Sequence, residues 1–202
     1  MHMNVKKHCY CTEKLYNTPM RMTTENILDN LECLGSLLPA SDPVEILLLG
    51  GAAGMLTGQF AAARTTTDCD VINAVPIESQ QAILTAAAEI AIQRELPKTW
   101  LNFQVMQLDI LPDGWHTRKV HIATFGPLSI CALSRRDLLA TKFYAGHVRD
   151  REDILAMAPG SEELAFVRTY LNMLRVPARR ADLDSVQRAL LYLDAMEDST
   201  NE

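Results

Sequence analysis

The chain has 202 residues, of which 48% are hydrophobic and 22% charged, with a formal net charge of −6. That profile fits a globular protein with one main core. It holds no apolar run near the ~20 residues of a membrane span, and it disfavours a generally basic nucleic-acid binder. The first residues, MHMNVKKHCYC, lack the apolar run of a secretory signal, so the cytoplasm is the expected location. Cys9, Cys11, Cys33, Cys69 and Cys131 form no CxxC pair, and reduced thiols are expected.

Residues 1–22 show weak periodicity and are read as a loose N-terminal arm. Thr23, Thr24 and Glu25 lead into a capped amphipathic helix carrying Ile27, Leu28, Leu31 and Leu34 and ending near Gly35. After Asp42-Pro43, Val44 to Leu49 reads as a buried strand that Gly50-Gly51 ends. Residues 52–62 read as an Ala-rich helix and 68–72 as a second strand closed by Pro76. Residues 78–94 form a helix with Ile83, Ala87, Ile90 and Ala91 on one face. Residues 100–118 read as irregular around a Pro112-Asp113-Gly114 turn. Lys119 to Phe125 and Leu128 to Leu133 then form a hairpin across Gly126-Pro127. Ser134 with Asp137 resembles a capping box, and helices follow at about 135–146, 149–157, 161–174 and 182–196. The fold class expected is α+β (α/β), with a small mixed sheet flanked by helices. A core over 23–133 is followed by a helical C-terminal region, 134–202, packed on it.

The segment from Gly50 to Asp70 carries the chemistry. Two glycines let backbone approach a ligand without a Cβ in the way, and a helix starting there turns unpaired N–H groups toward a phosphate. Asp68 and Asp70, two apart on a strand, share one side of the sheet and are hard-oxygen ligands suited to Mg²⁺ or Mn²⁺. Downstream, Lys142 lies mid-helix, where an exposed ammonium reaches a phosphate, and Asp150 and Asp153 share one helical face. Each piece also has a plainer reading: a tight turn, a solvated strand face, and an exposed helical turn laced with ion pairs.

A strand ending in Gly-Gly, a helix and Asp-x-Asp on the next strand resemble the nucleotidyltransferase superfamily. The run Arg64-Thr-Thr-Thr67-Asp68-Cys-Asp70 is similar to the Arg-x-Thr-x-Asp-hydrophobic-Asp pattern of its minimal bacterial members, with one extra residue between Arg64 and Asp68. Lys142-Phe-Tyr-Ala145 and Arg149-Asp150-Arg-Glu-Asp153 resemble paired motifs of the abortive-infection AbiEii-like toxins. The resemblance implies a metal-dependent transfer of a nucleotidyl group from an NTP. Asp68 and Asp70 would hold the metal, Gly50, Gly51, Arg64, Thr67 and Lys142 the nucleotide, and Lys142, Asp150 and Asp153 would complete the catalytic set. It implies an RNA (for example tRNA), protein or small-molecule acceptor and, for a toxin, an antitoxin partner. The hairpin strands carry no Asp or Glu to act as the third strand carboxylate of many nucleotidyltransferases. Either Asp150 or Asp153 supplies it, or the protein is an inactive module that binds nucleotide or a partner protein. Asp109 reads as loop or strand edge, and Trp100 as packing or a base-stacking platform. Arg168, Arg175, Arg179, Arg180 and Arg188 form either a solvated face or a local RNA-facing patch.

Overall fold

The computed structural model describes residues 20–103, 110–179 and 181–200. Cys9, Cys11, Asp109, Arg180 and most of the segment read as an arm lie outside the described residues. The end of that segment is not loose. Met22 is fully buried and forms an antiparallel bridge with Thr66, bringing the chain before the first helix onto the loop that precedes the Asp pair.

Helix α1 (Thr24–Leu37) is capped at Thr23, whose side chain accepts from the Asn26 N–H, and it buries Ile27, Leu31 and Leu34. Gly35 lies inside the helix instead of ending it. A Cβ there would stand 2.2 Å from the Phe125 carbonyl oxygen and 2.7 Å from the Phe125 Cβ. Gly35→Ala therefore sets a helix-propensity gain of up to about 1 kcal/mol against overpacking on backbone that cannot rotate away, about 3 kcal/mol. Net destabilisation of about 2 kcal/mol is expected in urea titrations.

Strand β1 (Val44–Leu49) is almost wholly buried and forms the centre of a mixed sheet with β2 (Cys69–Val75), β3 (Leu101–Asn102), β4 (Val120–Phe125) and β5 (Leu128–Ala132). The order is β3-β2-β1-β5-β4. β1 runs antiparallel to β2 and parallel to β5, β4 and β5 are the expected hairpin, and β2 pairs parallel with β3. Between β1 and β2 lies α2 (Gly50–Leu56). It stops at Leu56 and not at residue 62, because the chain turns through Gly58 at φ +69°. Helix α3 (Gln80–Gln93) buries Ile83, Ala87 and Ile90. The region expected to be irregular contains β3 and a single turn, α4 (Trp115–Arg118).

Helix α5 (Arg135–Ala145) starts at Ser134, whose hydroxyl accepts from the Asp137 N–H. α5 packs against α2 as well as against α6 (Val148–Met157), α7 (Ser161–Leu174) and α8 (Leu183–Thr200), so the helical half is built onto the sheet through α5. Its buried set includes Leu138, Leu139 and Phe143, and also Asp137, Thr141 and Lys142. Asp137 is answered by Arg118, at 2.6 and 3.1 Å, and by the Ser134 hydroxyl. No helix among the described residues is long and apolar enough to cross a membrane.

Candidate active site

Asp70 lies on β2, paired with Leu49 of β1 on one side and with Asn102 of β3 on the other. Cys69, between the two acids, is fully buried, so strand alternation sends Asp68 and Asp70 away from that part of the core. Burial and the Asp68 charge push the Asp70 carboxyl up to about 6, against the Asn102 hydrogen bond and the Lys142 charge. Asn102 Nδ2 donates to Asp70 Oδ1 at 3.2 Å, and the Thr66 hydroxyl donates to Asp68 Oδ1 at 3.3 Å.

Gly50 and Gly51 serve these side chains directly. Gly50 sits at φ +64°, and a Cβ on it would lie 2.4 Å from Asp70 Oδ2. A Cβ on Gly51 would lie 3.0 Å from Thr66 Oγ1. The pair thus leaves room for Asp70 and Thr66, where the sequence pointed to room for a ligand alone.

Leu49, Gly50, Asp70, Thr141, Lys142 and Asp150 contribute to the walls of one cavity of about 200 Å³. A larger, more open groove of about 510 Å³ lies at the opposite end of β1, but its one carboxylate, Glu45, is already paired with Lys119. The smaller cavity is therefore the one that gathers an ammonium and two carboxylates.

Lys142 is buried, not the exposed cleft lysine that its helix position suggested. Its Nζ donates to Asp150 Oδ1 at 3.0 Å and to Asp153 Oδ2 at 2.7 Å. Asp153 does not line the cavity. It faces inward and takes a forked pair from Arg64, at 2.9 and 3.0 Å. Burial pushes the Asp153 carboxyl up, but the Arg64 and Lys142 hydrogen bonds outweigh it and hold it below the usual carboxylate range. Arg64 is correspondingly committed to Asp153 and to the Thr65 carbonyl, and its guanidinium is held charged chiefly by the Asp153 hydrogen bond. Phe60 lies 5.2 Å from Lys142 Nζ and 5.7 Å from the Arg64 guanidinium carbon, measured to its ring centroid. Thr67 sits in the bend between Thr66 and Asp68.

Reasoning from sequence missed Asn102, because a two-residue strand leaves too short a pattern to read. The hairpin strands do not flank Asp70; its neighbours are β1 and β3, and the β3 side chain opposite it is an amide. Trp100 is fully buried with its Nε1 donating to the Ala87 carbonyl at 2.9 Å, which makes it a packing residue. Arg168 pairs with Asp194 and Glu197, Arg179 with Asp113, and Arg188 with Asp182 at 3.7 Å, so these C-terminal arginines largely face carboxylates of their own chain.

No curated protein and no solved structure matches the chain. One family model matches residues 25–160, more than half of the chain and every residue named above as lining the cavity, under the description "Nucleotidyltransferase of unknown function (DUF6036)". With the Gly-Gly turn, the Asp-x-Asp strand and Lys142 all inside that segment, the chain belongs to this nucleotidyltransferase family.

Proposed function

We propose that the cleft binds a nucleoside triphosphate with a divalent cation and transfers its nucleotidyl group to an acceptor hydroxyl. The observation that carries this reading is that Asp70, Lys142 and Asp150, from β2, α5 and α6, line one cavity. The donor set fits Mg²⁺ or Mn²⁺: Asp68 and Asp70 offer carboxylate oxygens, and Asp70 opens onto the cavity. A cation bound there would neutralise charge on the phosphates and orient the α-phosphate. Lys142 places a positive charge against the phosphates, while Asp153 and Phe60 fix its direction. Asp150 takes the proton of the acceptor hydroxyl as its oxygen bonds to the α-phosphorus, and the α–β phosphoanhydride bond breaks to release pyrophosphate. Asp153 acts as a positioning residue in this scheme. A toxin paired with an antitoxin, acting on RNA in the cytoplasm, is the cellular role that the motif resemblance supports.

A second reading, a module that binds nucleotide without turning it over, is favoured by Asn102, an amide on the strand where a further carboxylate would sit. Release of labelled pyrophosphate from NTP separates the two. Asp70→Asn should retain the fold and lose Mg²⁺-dependent NTP binding; unchanged binding sinks the assignment. In the parent, a cation must displace the Asp70 proton at low pH. Mg²⁺ affinity, read by calorimetry, should therefore fall roughly tenfold per pH unit below about 6 and level off above it. An affinity flat across that range would remove Asp70 from the cation site.

A further inference from the structure

Three arginines from separate parts of the chain converge on Thr65. Arg64 Nη1 donates to the Thr65 carbonyl, Arg149 Nη2 donates to the same oxygen at 3.3 Å, and Arg21 Nη1 donates to the Thr65 hydroxyl at 3.5 Å. Other arginines buttressing the site and the helical half meet a carboxylate, as Arg64 does in Asp153, Arg118 in Asp137 and Arg135 in Glu163. Among the described residues Arg21 and Arg149 form no ion pair, although both are anchored. Burial lowers the Arg149 pKa, and the Arg64 and Arg21 charges lower it further, so the cations repel where they stand, with Asp153 and Glu152 offsetting only part of the effect. The Met22–Thr66 bridge holds Arg21 there, and the first turn of α6 holds Arg149 beside Asp150. Thr66, next in the chain, bonds Asp68, and Arg149 directly precedes Asp150 of the cavity wall, so the arginines stand beside the proposed cleft, at its rim.

We propose that Arg21 and Arg149 form a binding site for a phosphate group at this rim. Each guanidinium has five N–H donors and spends one on Thr65, which leaves a fork suited to phosphate oxygens and a repulsion that an anion relieves. The phosphate has two possible sources, the polyphosphate tail of the nucleotide or the backbone of an RNA acceptor. The inference rests on the proposed transfer reading for the identity of the ligand, but its test does not.

The test compares the parent with Arg21→Gln, Arg149→Gln and the double variant against two probes. One is inorganic tripolyphosphate with Mg²⁺, followed by calorimetry. The other is a short labelled single-stranded RNA in EDTA, followed by anisotropy over a range of KCl. The double variant should bind at least one probe about tenfold or more weakly, and for RNA the salt slope should fall by about one per arginine removed. Weakening toward tripolyphosphate alone assigns the site to the nucleotide tail, and weakening toward RNA alone assigns it to the acceptor; either supports the proposal. Unchanged binding of both probes overturns it, as does a parent that binds neither. Should the Gln variants fail to fold, Arg149→Lys keeps the charge, loses the fork and should give a smaller loss in the same direction. Because the RNA arm contains no metal, Asp70→Asn with unchanged NTP binding would remove the transfer reading and leave this site standing.

Discussion

Asp153→Ala should lower the melting temperature by about 10 °C, the largest stability loss expected from any single change at the site. The substitution leaves Arg64 with the Thr65 carbonyl and Lys142 with Asp150 as hydrogen-bond partners, in a region where Asp153 is 5% exposed and Lys142 4%. Removing one partner from a buried ion pair costs roughly 3–5 kcal/mol, and about 2–4 °C accompanies each kcal/mol in a chain of this size. The loss carries a pH signature. The native Asp153 carboxyl lies below its ordinary value, so its contribution is fully present above about pH 4 and fades as pH falls through the depressed native value. The gap between parent and variant should narrow in acid. A gap of the same size at pH 7 and in acid would mean that Asp153 stabilises by packing and not by charge.

Lys142→Met should show the opposite balance, a modest loss of stability and a large loss of turnover. Met restores most of the apolar stem and leaves Asp153 with its forked Arg64 pair, so the cost is that of Asp150 and Asp153 each losing one donor, about 2 kcal/mol. If the ammonium faces phosphate in the reacting complex, the rate should fall by about 10²–10³-fold. A Lys142→Met protein that turns over NTP at the parental rate would reduce Lys142 to a structural ion-pair partner. The pair of variants separates a residue that holds the site from one that acts in it, since Asp153→Ala should cost more in melting temperature than Lys142→Met.

Much of this arrangement was legible in the sequence because its signals are local. Apolar runs and turn residues marked β1 and the β4–β5 hairpin, and Thr23 and Ser134 marked helix starts through caps that form within three residues. The family resemblance required Lys142 and Asp150 to face Asp70, and the hairpin returning to Ser134 gave the chain a route there; the three line one cavity. What escaped were properties that depend on neighbours distant in the chain. Nothing around Lys142 announces that Asp153 and Phe60 will bury it, and nothing around Gly35 announces Phe125. β3 is too short for a period, and α2 ended early because Gly58 reversed a chain whose alanines alone would have continued the helix.

Phe60 ties the charged site to the interior in a way that constrains how the sequence can change. A Cβ on Gly54 would fall 2.0 Å from Phe60 Cε2 and 2.2 Å from its Cζ, so the ring occupies the volume that any larger residue at 54 would need. The same ring lies under Lys142 and Arg64. Positions 54 and 60 therefore form one unit of substitution. A side chain gained at 54 is tolerable only with a smaller one at 60, and that exchange would admit water beneath the two cations. Among relatives that retain the Lys142–Asp153–Arg64 network, these two positions should vary together or not at all.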